Sequence, residues 1–310
     1  MTHVATLLAH PTQPIPEDTG WQAARNLPAA GAPAWLDPGL ALDIPFTPPG
    51  ENDNRITAET LRGALGSARI DVVVQQAAGR RKRLLLADMD STMIGQECLD
   101  ELADFVGQKA RVAAITERAM RGEVEFAPAL RERVALLAGL PAGVVDEVIA
   151  KRITLTPGAR TLVRTMRRHG AYTCLVSGGF TVFTARIAAL IGFDEDRGNL
   201  LVIGEDGRFL GTVAEPVLGR DAKLETLREL RRKLGLGRHE TLVVGDGAND
   251  LKMIGDAGLG VAFRAKPLAA EAAAARIDHG DLTALLYAQG YRREEFVEAD
   301  DGRQVAASSE

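Results

Sequence analysis

Two aspartates separated by one residue, Asp88 and Asp90, follow directly on the apolar run Leu84 to Ala87 in the stretch LLLADMDST. Carboxylates are nucleophiles, proton carriers and ligands for hard cations. A pair placed where a buried strand ends faces whatever gathers at the carboxyl edge of an α/β sheet. A second acidic cluster, Asp246 to Asp250 in GDGAND, follows another apolar run, Thr241 to Val244. Its two glycines let the backbone turn sharply, and Asp246 and Asp250 are spaced to meet across one helical turn. Parallel neighbouring strands would bring both clusters to one edge, where like charges repel unless a cation offsets them. Mg²⁺ suits that place, since it prefers oxygen ligands and takes one or two carboxylates together with waters and a phosphate oxygen.

A third apolar run, Ala171 to Val176, ends in Ser177-Gly178-Gly179 ahead of a helical pattern. A hydroxyl and free backbone N–H groups at a helix N-terminus form an anion site. Lys223, near the start of the next helix, adds a cation that could reach the same edge. Taken singly, each feature has a plainer explanation: a polar loop or helix cap, a glycine turn, a solvated lysine. Their weight comes from occurring together, each behind its own strand or at the start of the helix that follows.

The elements needed to position them are legible as βαβ alternation from Thr156 onward. Helices are expected over 158–169, 180–191, 222–234 and 267–275, with strands over 171–176, 241–244 and 260–263 and an edge strand over 276–278. Residues 200–203 and 209–213 flank Glu205-Asp206-Gly207 as a hairpin. Between the first strand and this alternation, helical periodicity runs over 97–105, 112–120, 126–137 and 144–149, which is too much helix for one crossover. The fold class expected is therefore α/β, a Rossmann-like parallel sheet over 81–94 and 156–290 with a helical cap inserted over 95–155. Ahead of it, residues 1–80 read strand, helix, strand, strand, helix, strand, the order of a small α+β ferredoxin-like unit that would bind a regulatory ligand or pair two subunits as a homodimer. Residues 291–310 read as a charged, flexible tail.

Composition narrows the function classes. The 310 residues are 46% hydrophobic and 25% charged, with a net charge of −5. A weakly acidic balance gives no drive toward nucleic acid or an anionic membrane. The basic run Arg80 to Arg83 reads as a solvated linker. Two cysteines, Cys98 and Cys174, are too few for a disulfide framework and lack zinc-site spacing, so both are expected as packed thiols. No run of about eighteen apolar residues is present. A cytoplasmic protein is the expectation.

Together, DMDST, SGG, the lysine of DAK and GDGAND resemble the four motifs of the haloacid-dehalogenase-like phosphohydrolases, in the same order. Within them the stretches GQECLDELA, TERAMRGEVEFAPALRERVALL, LVSGGFTVF and VVGDGANDLKMI look like the phosphoserine phosphatase family, over about Leu84 to Asp281. The resemblance implies that Asp88 is the nucleophile and Asp90 the general acid and base. It implies Mg²⁺ held by the Asp88 carboxylate, the Asp90 backbone carbonyl and Asp246, with Asp250 orienting the site from nearby. Ser177, Gly178, Gly179 and Lys223 would meet the phosphoryl oxygens, and Asn249 would add a polar contact. Met89 replaces the phenylalanine common between the two aspartates, one hydrophobic residue for another.

Specificity must come from the cap. Phe126 and Arg133 are seven apart and share a helix face, and a guanidinium fork suits a carboxylate. Glu97 matches the family position that meets an amino group, while Phe126 and Met120 would shield the ligand from water. The implied reaction is hydrolysis of O-phospho-L-serine to L-serine and phosphate, the last step of serine biosynthesis. Two alternatives stay open: a phosphotransferase of the same fold with another alcohol acceptor, and a non-catalytic amino-acid-sensing regulator.

Overall fold

The computed structural model describes residues 1–298 apart from Pro11, Asn52, Arg121 and Gly122, and apart from the side chains of Ala119 and Met120. The first unit comprises β1 (His3–Ala9), α1 (Thr19–Ala24), β2 (Ala34–Asp37), β3 (Ala41–Phe46), α2 (Asn54–Leu65) and β4 (Ile70–Gln76). Its four strands lie in the order β2-β3-β1-β4 with antiparallel pairing throughout, the ferredoxin-like arrangement. Thr57 reads from the sequence as the N-cap of α2, but the helix starts earlier, at Asn54. Asp53 caps it instead, accepting the Arg55 and Ile56 N–H groups at 2.9 and 3.1 Å. A short carboxylate satisfies two of the orphan donors of the first turn, which a threonine already inside the helix does not.

The second unit opens with β5 (Leu84–Ala87), every residue of which is buried. Then come α3 (Cys98–Phe105), α4 (Lys109–Met120), α5 (Phe126–Ala135) and α6 (Val144–Arg152), the helices between the first strand and the next. The α/β alternation continues with α7 (Ala159–Arg168), β6 (Tyr172–Phe180), α8 (Thr181–Ile191) and β7 (Glu195–Asn199). A hairpin, β8 (Leu201–Ile203) and β9 (Phe209–Val213), precedes α9 (Arg220–Lys233) and β10 (Thr241–Gly245). The remainder is α10 (Leu251–Asp256), β11 (Leu259–Phe263), α11 (Pro267–Ala272), β12 (Ala275–Ile277) and α12 (Ala284–Ala288). Six strands form one sheet in the order β12-β11-β10-β5-β6-β7, each pair of neighbours parallel. Strand β5 thus lies at the centre, and a strand buried on both faces needs an unbroken apolar run such as its own.

Three features depart from the sequence reading. Strand β7, Glu-Asp-Arg-Gly-Asn, carries no apolar residue at all. It pairs as a sheet edge because its side chains are satisfied locally, with Arg197 bonded to both Glu195 and Glu229 and the Thr184 hydroxyl donating to Asp196. The run Arg80 to Arg83 is no solvated linker. Lys82 is buried and donates to the Gly79 and His239 carbonyls at 3.1 and 2.8 Å, while Arg80 pairs with Asp43 and Arg81 with Glu295. These basic groups staple the first unit to the second. Beyond Gly290, Tyr291 and Phe296 are buried and Arg81 lies over the Tyr291 ring, so residues 291–298 pack against the body instead of fraying. The rest of the expected tail lies outside the described residues.

One apolar core runs through the helices between β5 and β6 and one face of the six-stranded sheet, and takes in Leu8, Leu36, Ala41 and Val73 from the ferredoxin-like sheet. The first unit also keeps its own smaller core between its sheet and α1 and α2. The hairpin is tied to the inserted helices by main-chain bonds, Gly139 N–H to Phe209 O at 2.8 Å and Phe209 N–H to Leu140 O at 2.9 Å.

Candidate active site

Adjacent order and register bring the motifs together. Ala87 is level with Val244 on β10 and with Leu175 on β6, so the chain emerges at one edge as Asp88, as Asp246 after Gly245, and as Ser177 after Val176. The Asp88 N–H extends the ladder to the Val244 carbonyl at 3.0 Å. Past it, a wide turn over Met89–Met93 is closed by Ile94 N–H on the Met89 carbonyl, and Ser91 sits at φ +55°. Met89 is fully buried and anchors the turn beneath the sheet edge.

The Asp88 carboxylate is buried and its Oδ1 accepts the Met89 N–H at 2.8 Å. Lys223 Nζ stands 2.7 Å from the same oxygen and 2.8 Å from Asp250 Oδ1. The second oxygen of Asp250 accepts the Gly247 N–H at 3.2 Å. Gly245 is required here: a Cβ on it would lie 2.4 Å from the Asp250 carboxyl. Burial and then Asp250 push the Asp88 carboxyl well up from its ordinary value, against the pull of Lys223. Burial alone would lower the lysine, but Asp250 and Asp88 reverse that and hold it charged. Asp246 is pushed up to about 6, first by burial and then by the charge of Asp250.

Asp88, Asp246 and Asp250 can each offer a carboxylate oxygen such that all three lie within 4.8 Å of one another. Three buried carboxylates face one buried ammonium, which leaves an excess of negative charge on hard oxygen donors. That donor set fits a small divalent cation. The Asp90 side chain turns elsewhere: its Oδ1 accepts the Cys98 N–H at 3.2 Å, and burial together with the charge of Glu97 pushes it up to about 7.

A cavity of about 150 Å³ opens beside these groups. Asp88, Asp90, Asp246, Asn249 and Ser177 to Gly179 line it from the sheet edge, and Glu97, Phe126 and Arg133 from the inserted helices. Asn249 Nδ2 reaches Asp88 Oδ2 at 3.5 Å. Glu97 accepts the Ser91 hydroxyl at 2.7 Å. Phe126 is 40% exposed, not helix core, and its ring packs over Gly178 and Gly219, where added Cβ atoms would each meet it at 3.3 Å. Arg133 donates to the Ala129 carbonyl at 3.2 Å and to the Thr116 hydroxyl at 3.3 Å; burial lowers its pKa against the pull of Asp100 and Glu97. Met120 ends α4, and its side chain lies outside the described residues.

Two expected placements differ. Ser177-Gly178-Gly179 continues β6 through a register shift between Val176 and Phe180, and α8 starts only at Thr181. The Gly179 N–H is held by Ser177 Oγ at 2.8 Å, so the segment is an irregular strand end and not a helix N-terminus. Lys223 stands behind Asp88, outside the residues that line the cavity.

Two contributors went unread in the sequence. Asn199, buried at the end of β7, donates to the Gly178 and Leu218 carbonyls at 2.8 and 3.0 Å and accepts the Leu218 N–H at 2.6 Å. It clamps the SGG segment to the loop that leads into α9 and Lys223. Lys266 lines the cavity, with its N–H on the Asp246 carbonyl at 3.1 Å and its Nζ 3.9 Å from the Asp246 carboxylate. Its position just past β11, beside β10, is the signal that would have found it.

Residues 85–255 match the family model for haloacid dehalogenase-like hydrolases. A phosphoserine phosphatase of Mycobacterium tuberculosis is 45% identical over 235 residues, 75% of this chain and 57% of that protein. A phosphoserine phosphatase of Polaromonas is 46% identical over 209 residues, 66% of this chain and 88% of that protein. The chain thus spans little more than half the length of the first relative and most of the second. Among solved structures, a family hydrolase from Salmonella enterica superposes with a TM-score of 0.81 at 27% identity, covering 92% of this chain and 98% of that one. The chain belongs to the haloacid dehalogenase-like hydrolase family.

Proposed function

We propose that the chain is a Mg²⁺-dependent phosphoserine phosphatase, which hydrolyses O-phospho-L-serine through an aspartyl-phosphate. One observation carries the reading: a single small cavity has a phosphate-directed wall, Asp88 with Ser177 and Gly178, facing a wall of opposite charges, Glu97 and Arg133. A phosphate esterified to a zwitterion needs both.

Lys223 and the Met89 N–H occupy Asp88 Oδ1, which leaves Oδ2 to approach phosphorus. Attack forms the aspartyl-phosphate and breaks the bond to the serine oxygen, which takes a proton from Asp90. With a pKa of about 7, Asp90 is protonated in a large share of molecules at neutral pH and ionised in the rest. Having lost its proton, it can accept one from the water that attacks the aspartyl-phosphate, releasing phosphate and restoring Asp88. Ser177 and the Gly178 N–H would stabilise the phosphoryl oxygens while charge moves across them. Asp88, Asp246 and the Asp90 carbonyl would hold Mg²⁺, with Asp250 and Lys223 fixing the carboxylates; when bound, the ion supplies positive charge to the phosphoryl group. Arg133 would take the substrate carboxylate and Glu97 its ammonium, and Phe126 would cover both from water.

Phosphate release measured with Mg²⁺ across O-phospho-L-serine, O-phosphothreonine and sugar phosphates tests the reading. Preference for phosphoserine supports it, and a preference for sugar phosphates overturns it. We infer a homodimer through the first unit as the further expectation for assembly, to be checked by light scattering of the full chain. Among the described residues no helix is long and apolar enough to cross a membrane.

A further inference from the structure

A second cavity, of about 270 Å³, lies in the crevice between the ferredoxin-like unit and the edge of the six-stranded sheet. His10 and Arg69 line it from the first unit, Arg264, Asp278 and His279 from the second. Asp278 is the one carboxylate among these, and it shares the Arg276 guanidinium, 3.2 Å away, with Glu59 at 3.5 Å. Two permanent cations, Arg69 and Arg264, and two imidazoles thus face the crevice against that single carboxylate. The Thr12 N–H donates to His10 Nδ1 at 3.2 Å and the Thr12 hydroxyl stands 2.8 Å from the same nitrogen, which fixes the ring at the crevice.

The floor of the crevice leads to the active site. Arg264 adopts φ +44°, a left-handed conformation costly for a side chain with a Cβ and retained where surroundings hold it. Its N–H is bonded to the Ile277 carbonyl at 2.8 Å and its guanidinium to the Gly280 carbonyl at 3.1 Å. Gly280, His279 and Asp278 in turn donate backbone N–H groups to the buried carboxylate of Asp71 in the first unit, at 2.7, 3.0 and 2.8 Å. Two residues beyond Arg264 stands Lys266, whose N–H and ammonium both address Asp246. Hydrogen bonds thus run from Asp71 through the loop of His279 to Arg264, and the main chain carries the connection two residues on to Lys266, which is bonded to the Asp246 backbone carbonyl and lies 3.9 Å from its carboxylate.

We propose that this crevice binds a small organic or inorganic dianion bearing carboxylate or phosphate groups, and that its occupation changes the affinity of the active site for divalent metal. The ligand bridges Arg69 and Arg264 across the two units. Drawing the Arg264 guanidinium into the crevice moves the three-residue segment that ends at Lys266, and with it the partner of Asp246. The coupling rests on the metal reading given above; binding in the crevice does not.

Binding is read by NMR of the histidine ring protons of the full chain without metal, titrated separately with succinate and with inorganic phosphate. The His10 and His279 signals are assigned by their loss in His10→Gln and His279→Gln. Saturable movement of both signals at millimolar ligand, weakened about tenfold in Arg69→Gln and in Arg264→Gln, is the expected result. Whichever of the two probes binds more tightly identifies the carboxylate or the phosphate class. No movement with either, or movement unchanged in the two variants, overturns the site. Arg69 is exposed and stands away from the catalytic edge, so Arg69→Gln decides the matter even if Arg264→Gln does not fold. Coupling is read by calorimetry: Mg²⁺ affinity shifts about fivefold with saturating succinate, and succinate affinity shifts by the same factor with Mg²⁺. Unchanged Mg²⁺ affinity with binding intact overturns the coupling. Failure to bind Mg²⁺ at all overturns the metal reading and the coupling together, while the crevice result stands on its own.

Discussion

Lys223 Nζ lies 2.7 Å from Asp88 Oδ1, with 1% of the lysine side chain exposed. It is also the nearest cation to Asp250, so one ammonium compensates two buried carboxylates. Removing it strands both charges in a low-dielectric pocket. Lys223→Met is expected to destabilise the chain by ~3–5 kcal/mol and to abolish turnover, as measured by urea unfolding and phosphate release. Adding Asp250→Asn to that variant should restore part of the stability and none of the activity. A wild-type urea midpoint in the single variant would show that the buried pair carries no such burden.

Asp90 and Asp88 separate by leaving group. A serine alkoxide needs a proton to depart, whereas p-nitrophenolate does not. Asp90→Asn should lower turnover of O-phospho-L-serine by about 10²–10⁴-fold, while p-nitrophenyl phosphate still gives a burst of nitrophenolate before slow dephosphorylation. Asp88→Asn should abolish the burst as well as the turnover. A burst retained in Asp88→Asn would place the nucleophile elsewhere.

Arg133 is assigned to the substrate carboxylate. Arg133→Ala should raise KM for O-phospho-L-serine about tenfold or more, the worth of a charge-assisted hydrogen bond, and leave O-phosphoethanolamine, which lacks the carboxylate, nearly unchanged. Equal losses on both substrates would remove that assignment.

Asn199 tests the clamp behind the cavity. Its amide satisfies two carbonyls and one N–H, all on segments that carry or flank site residues. Asn199→Ala leaves those groups without their partner and should cost about 1–3 kcal/mol. If the clamp positions the SGG segment, kcat for phosphoserine falls by more than KM rises; a loss of thermal stability with kcat unchanged would reduce Asn199 to a structural residue.

Metal removal probes the trio of Asp88, Asp246 and Asp250. Chelation should abolish phosphate release, and Mg²⁺ at about a hundred times its dissociation constant should stabilise the folded chain by about 2.7 kcal/mol, seen as a rise in Tm. Asp246→Asn should remove the rise. A Tm insensitive to Mg²⁺ in the unaltered chain would count against the acidic trio as its site.

Which residues stand at the sheet edge was legible in the sequence, because side-chain type and the apolar runs before Asp88, Ser177 and Asp246 are local properties. The sequence also determined the ferredoxin-like order of the first unit, since hydrophobic periodicity and turn residues report elements one by one. Strand order is a different matter. That β5 lies between β10 and β6 follows from how apolar faces stack in three dimensions, and no pattern within those strands names its neighbours. Polar β7 was invisible for the same reason: Glu195, Arg197 and Asn199 make an edge strand only because α9, the SGG segment and the Leu218 loop supply their partners. Burial likewise decided Lys82, which read as a solvated charge until the His239 carbonyl closed on it, and it put Lys223, expected at the phosphoryl oxygens, against the Asp88 carboxylate instead. The crevice of Arg69 and Arg264 exists only in the folded chain, where two units meet and residues nearly two hundred positions apart come to share one field.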